Sequence, residues 1–284
     1  MQNKTYTELL DGVEALAGVN AFTTQEQTRL LANANRRLYQ AYSATPTWQR
    51  YAKIEARPAN DGLIAREYTG AARTVTTATR SGTTVTIVCD DAVDFVAGMY
   101  VTVASLSGTE DPNGSQVVMS VTTTTVDDDT FTFELDDGTG TETYSGSGTV
   151  TPDTVSDIGD FHRVYSGNPN NGNAGYDVEW WEDADGAHVT GNRSGLEGYW
   201  VSYKKEWGGP YTTASTDIPL EFYHYVLHAT YADFLRGEGQ NDKALAEEQA
   251  AQEYLAIELM KPANVRNANR LYSRVRTHNT TQAR

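Results

Sequence analysis

The residues best equipped for chemistry lie in one short run, Glu179-Trp180-Trp181-Glu182-Asp183-Ala184-Asp185-Gly186. Paired carboxylates beside tryptophans suit a glycoside hydrolase, in which one carboxyl group donates a proton and the other attacks or activates water. The same run also reads as a plain turn, Asp183-Ala184-Asp185-Gly186, joining two strands with Trp180 or Trp181 on the buried face. Spacing along the chain fixes no carboxylate separation, and the turn is the preferred reading. Calcium fails the loop pattern: with Gly186 at position 6, position 1 is Trp181 rather than an acid. Asp127-Asp128-Asp129 reads as a solvated turn. Of the histidines at 162, 188, 224, 228 and 278, only His224 and His228 share one helical face. Tyr225 stands where a metalloprotease helix needs glutamate, so these two read as ordinary helix histidines. Gly138-Thr139-Gly140 and Gly146-Ser147-Gly148 lack the helix that must follow a phosphate loop. Cys89 is alone, which excludes an intramolecular disulfide and a cysteine-rich metal site. No nucleophile motif is present. The expectation is a protein that is not an enzyme, with no catalytic residue, metal or cofactor.

The elements that would position such residues alternate between two periods. Thr5 with Glu8 and Thr23 with Glu26 have capping-box spacing. Leu9, Val13 and Leu16, and then Leu30, Leu31, Ala34, Leu38 and Ala41, mark the stripes of two helices, the second ending before Thr45-Pro46. "WQRYAKIEAR", a turn over Pro58–Gly62 and "LIAREY" read as a hairpin. From about Arg73, threonine and valine alternate through several short strands, predicting a compact Ig-like β-sandwich that closes near Pro152. Sparser strands follow to about Trp207. A helix starts at Asp217-Ile218-Pro219, with Leu220, Tyr223, Leu227, Tyr231 and Phe234 as its apolar face. Gly237-Glu238-Gly239 breaks it, Asn241 or Asp242 caps the next helix, and Pro262 is expected to end that one.

The expected fold class is therefore α+β. It combines a helical bundle from N- and C-terminal helices, a small antiparallel sheet and the inserted Ig-like β-sandwich. Residues 1–71 and 152–260 would form the core, 72–151 the insert, with seams at Gly70 and Pro152, and 261–284 a basic arm. An insertion needs entry and exit points that lie close together.

Charge adds a second asymmetry. The formal charge is -16, which repels nucleic acid and argues against a general DNA or RNA binder. Yet Lys261 to Arg284 holds six Lys or Arg and no carboxylate. The first residues are polar and no run approaches a membrane span, so a soluble chain made in a reducing compartment is expected. Arg266, Arg270 and Arg274 stand four apart with Arg276 beside them. This is either a solvated tail or an arm that orders against an acidic partner, anchored by Leu271, Tyr272 and Val275. Arginine favours bidentate pairing with carboxylate or phosphate.

"DIPLEFYHYVLHATYADFLRGEGQNDKALAEEQAAQEYLAIELMK" resembles the C-terminal helical pair of the head-to-tail adaptor (connector, head completion) proteins of tailed bacteriophages. The features carrying the resemblance are a Pro-started helix with an A-x-Y-A-x-x-L run, the Gly-Gln-x-Asp-Lys turn and an Ala/Glu-rich helix. "YTELLDGVEALAGV" and "TTQEQTRLLANANRRLYQAY" look like the family's opening helices. The likeness covers about 45 residues at each end and leaves the middle unassigned. It implies a structural virion protein at the neck, assembled from host cytoplasm into a homo-oligomeric ring, usually twelve-fold, beneath the portal protein. Its lower surface would meet a tail or tail-completion protein. The portal-docking arm would be Lys261, Arg266, Arg270, Leu271, Tyr272, Arg274, Val275 and Arg276. DNA would cross the acidic channel without specific binding, and no membrane is involved. Two alternatives stand beside it: a receptor- or carbohydrate-binding tail or fibre component, and a hydrolase using the Glu179–Asp185 carboxylates.

Overall fold

A computed structural model describes all residues except 1, 69, 91–95, 124–128, 136–139, 154–156, 170–174, 192–194 and 282–284. Side chains at 122, 123, 196 and 262–281 are also outside the description. Along the chain, β1 (Asn3–Lys4) precedes α1 (Tyr6–Ala17) and α2 (Thr24–Ser43). The hairpin β2 (Ala52–Asn60) and β3 (Leu63–Ala65) follows. Next come β4 (Arg73–Ser81), β5 (Thr84–Cys89), β6 (Tyr100–Ala104), β7 (Gly114–Val117) and β8 (Ser120–Thr123). β9 (Asp129–Glu134), β10 (Thr141–Thr143) and β11 (Thr149–Pro152) complete that series. β12 (Ile158–Tyr165), β13 (Trp180–Glu182), β14 (Gly186–Val189) and β15 (Leu196–Lys205) lead to β16 (Ile218–Pro219), α3 (Leu220–Gly237) and α4 (Asn241–Thr281).

The chain divides into two compact units, residues 1–51 with 207–284, and residues 52–206. In the first, both expected capping boxes form: Thr5 and Thr23 each accept from the backbone of the glutamate three residues on, which reaches back to the cap. Gly18 at φ 71 stops α1 in the left-handed conformation that glycine adopts without penalty. α3 is the central helix, packing on α1, α2 and α4. Its fully buried residues are Phe222, Tyr225, Val226, Ala229, Thr230, Ala232 and Leu235, rather than the expected stripe. Tyr223, Leu227, Tyr231 and Phe234 are partly buried around them. A helix packed on several sides has no single stripe, so one-faced periodicity misplaces its centre. Pro219 is not inside the first turn but at the cap, its strand β16 paired with β1. Among the described residues, no helix is long and apolar enough to cross a membrane.

The second unit corrects the expected fold class. Among the described residues strand exceeds helix, 35% against 31%, and the four helices are joined in the chain by large antiparallel sheets rather than a small one. One sheet has eight strands, ordered β7-β6-β11-β4-β5-β9-β8 with β10 also on β4. Its end strands β7 and β8 are consecutive in the chain, and the link between them bonds both ways. Val118 N–H donates to Met99 O, and Met119 N–H to Thr132 O. The sheet thus nearly closes on itself as a barrel, and an Ig-like sandwich of two stacked sheets is not what forms. Alternation along a strand reports which side chains face inward. It does not report whether those strands belong to one coiled sheet or two stacked ones. Val85, Ile87, Phe131, Phe133, Val101 and Val150 fill the interior with no measurable exposure.

The other sheet has six strands, ordered β12-β15-β2-β3-β14-β13, so the expected small sheet is a substantial layer. The β2–β3 turn is only Asp61-Gly62 (φ 50 and 84), with Pro58 inside β2 paired to Gly198. Residues 176–178 bond β12 before the chain enters β13, through Val178 N–H to Val164 O and Ser166 N–H to Tyr176 O. The chain leaves this sheet after β3 and rejoins it at β12. A Cβ built on Gly70 would stand 2.5 Å from Pro152 Cγ, so these two residues lie side by side.

Candidate functional site

The acidic-aromatic run forms the β13–β14 hairpin. Trp180 faces inward and packs against Phe161 at 5.8 Å between ring centroids. Trp181 faces outward, 53% exposed, stacked at 4.1 Å and 8° on its cross-strand partner His188. The carboxylates are engaged in structure. Asp183 Oδ1 accepts from the N–H groups of Asp185 (2.9 Å) and Gly186 (3.2 Å), and Oδ2 lies 2.9 Å from His188 Nε2. Burial works to raise the Asp183 carboxyl, but these backbone bonds and His188 outweigh it and leave it below the ordinary value. Glu182 pairs with Arg66, which also donates to the carbonyls of Ile158 (3.3 Å) and Gly159 (2.9 Å). Gly186 is required at the turn end, because a Cβ there would fall 2.1 Å from Ile64 O. What this arrangement can do chemically is hold an open indole face flat and rigid.

His224 and His228 fasten α3 to α4. Both rings lie 5.2 Å from the Tyr254 ring, and His228 Nδ1 meets Glu247 Oε2 at 2.7 Å. Among the described residues, no group of three or more His, Cys, Asp or Glu could hold a metal ion. Of the Asp127–Asp129 triplet, only Asp129 is described, buried at the start of β9.

The helical hairpin is the second candidate. α3 closes at Gly237, and α4 begins at Asn241, so the cap position falls on Gln240, one residue earlier than expected. The first intrahelical bond is Ala244 N–H donating to Gln240 O, as an N-cap at Gln240 requires. α4 does not end at Pro262 but runs to Thr281. Proline removes one N–H from the ladder, and the helix is carried past that gap. Lys261 Nζ is bound to both Glu258 carboxylate oxygens at 2.6 Å. The backbones of Arg266, Arg270, Leu271, Tyr272, Arg274, Val275 and Arg276 lie in this helix, while their side chains fall outside the described residues.

Beside Lys261 is a cleft of about 180 Å³ that sequence reading does not reveal. Trp48 and Phe222, rings 4.9 Å apart, line it with Gln49 and two ion pairs, Arg50–Glu221 (3.1 Å) and Lys261–Glu258. Trp48 lies in the segment after α2 and Phe222 in α3, far apart in the chain, and no local signal links them. The unit is locked by Arg37, 8% exposed, whose guanidinium bonds Asp233 (2.7 and 2.8 Å) and Glu248 (2.8 and 3.0 Å). The bond to Asp233, opposed by burial, leads in raising the Arg37 pKa.

Comparison with protein families, with curated proteins and with solved structures finds no match.

Proposed function

We propose that the chain is a structural virion protein, a head-to-tail adaptor forming a ring beneath the portal of a tailed bacteriophage and continuing the DNA channel into the tail. One observation carries the reading. The two terminal segments that bear the resemblance pack into one unit, residues 1–51 with 207–284, apart from the β-rich middle they flank. That unit ends in a helix whose last part is basic while the rest of the chain is strongly acidic. The hairpin α3–α4 then serves as a rigid base for the arm, and the acidic ring repels DNA phosphates so that the genome passes without sticking. The test is deletion of Lys261–Arg284, with expected loss of binding to portal rings while the helical signal falls only by the deleted turns of α4 and the unfolding midpoint stays the same. Normal docking by the truncated protein would sink the arm assignment. Antibody label against residues 74–151 is expected at the capsid–tail junction of source particles.

A second reading, a receptor- or carbohydrate-binding tail component, draws on Trp181. An indole face left open and braced by His188 suits stacking against a ligand. It predicts trimers and glycan binding that Trp181→Ala removes; label at the junction together with no glycan binding would end it.

A further inference from the structure

α4 is apolar on two opposite sides. Ala244, Ala251 and Leu255 are buried on the side packed against α3. Two residues further along a helix is about 200° around it, so Ile257 faces away from Leu255. Ile257 and Met260 are 55% and 62% exposed, and Ala246 and Ala250 extend the same outer ridge toward the helix start. The eighteen residues of α3 can accompany only the first half of the forty-one in α4. Past Lys261 the helix runs on for about 30 Å. A helix of that length without tertiary support is marginal in water. This one contains Asn264, Asn267, Asn269, Thr277 and Asn279, all weak helix formers. It needs a partner to persist.

Charge identifies the partner. From Asn241 to Met260 there are five carboxylates (Asp242, Glu247, Glu248, Glu253, Glu258) against Lys243 alone, whereas Lys261 to Arg284 carries six cations and no carboxylate. We propose that α4 pairs antiparallel with α4 of a second copy along the Ala246–Met260 ridge, the acidic half of each helix lying along the basic half of the other. A parallel pair would set like charge on like. The antiparallel pair satisfies the complementarity twice, through a two-fold axis near Lys261, as a self-complementary interface requires. Leu271 follows Ile257 by fourteen residues, close to four turns, so its position continues the ridge into the basic half. This inference stands on α4 alone and does not depend on the neck reading; if both hold, docking on the portal exchanges one partner of the arm for another.

The test is sedimentation of the full chain over a range of concentrations at low and high salt. The expected result is a dimer that weakens as salt screens the charge pairing. Ile257→Glu and Met260→Glu change exposed positions, so tryptophan fluorescence of the folded unit stays the same while dimer affinity falls roughly tenfold or more and helical circular dichroism falls with it. Orientation is read by a short bismaleimide linker on a mixture of Glu253→Cys and Arg270→Cys chains. The mixture is expected to cross-link and neither chain alone. Cys89 does not compete, since burial pushes its thiol up to about 12. A monomer at every concentration, an oligomer indifferent to both glutamates, or cross-linking of Arg270→Cys with itself would each overturn the proposal.

Discussion

The helical unit and the eight-stranded sheet stabilise themselves by different means. In the helical unit three helices meet at a charged centre, where Arg37 of α2 joins Asp233 of α3 and Glu248 of α4. Arg36 and Arg236 add outer bonds to the same two carboxylates. In the eight-stranded sheet the centre is Val, Ile and Phe, while threonines occupy the outward positions in register. Thr143, Thr79, Thr86, Thr132 and Ser120 form one row across five strands. An apolar interior depends on filled volume and is indifferent to pH. A charged centre depends on each partner being present and ionised. The helical unit therefore carries its acid response at its centre, whereas the eight-stranded sheet carries its own at the Arg80–Glu142 pair, where the Thr109 N–H and Arg80 hold Glu142 below the ordinary carboxylate range.

The largest effect is expected in the sheet. Phe131→Ala removes a side chain with no exposure and should cost about 3–5 kcal/mol. Trp200 packs against this interior, so in a Trp200→Phe background the loss should appear in circular dichroism while Trp48 and Trp207 still report a folded helical unit. Simultaneous loss of both signals would show that the two regions do not unfold separately.

Arg37→Ala comes next, at about 3 kcal/mol, because it removes the buried cation between two carboxylates and leaves them only the more exposed Arg36 and Arg236. Tryptophan fluorescence during urea unfolding measures it. Acid sharpens the same contrast. Burial acts to raise Asp233 and Glu248, but Arg37 outweighs it and holds both below the ordinary carboxylate range. A group depressed in the folded state contributes stability above its unfolded pKa and loses it as pH falls through the folded one. The helical unit should therefore weaken below about pH 4. Wild type and Arg37→Ala should converge there; parallel curves at every pH would break the comparison.

Helix caps are smaller. Thr5→Ala or Thr23→Ala should each cost about 1 kcal/mol by thermal melting, since each removes the hydroxyl that accepts from the glutamate N–H and leaves only the return bond from the cap backbone. The smallest effect is expected at Asp177→Asn. Its pair with Arg163 is 3.5 Å long and mostly exposed on both sides, so the change should stay within about 0.5 kcal/mol.

Much of the local structure was legible. Thr5 and Thr23 cap because a hydroxyl and a glutamate three residues apart suffice for that contact, whatever surrounds them. Phe131 and Phe133 face inward because strand side chains alternate. The Asp183 turn forms as expected, since Asx bonding to the amides two and three residues on is also local. The candidate sites were less legible. Trp181 as an outward, His188-braced platform depends on cross-strand register, and the Trp48–Phe222 cleft depends on packing between distant segments.

The amino-acid sequence by itself determined where α1 and α2 start, which strand residues face inward, and that a basic segment follows an acidic body. Each of these is settled within about one turn or a few residues. Only the tertiary structure decided that the threonine-rich strands coil into a single near-closed sheet and that α3 is buried on several sides. It also decided that Arg37 sits between Asp233 and Glu248, and that α4 continues past Pro262. Those outcomes depend on hydrogen bonds and packing between residues far apart in the chain, whose free energies no local pattern records.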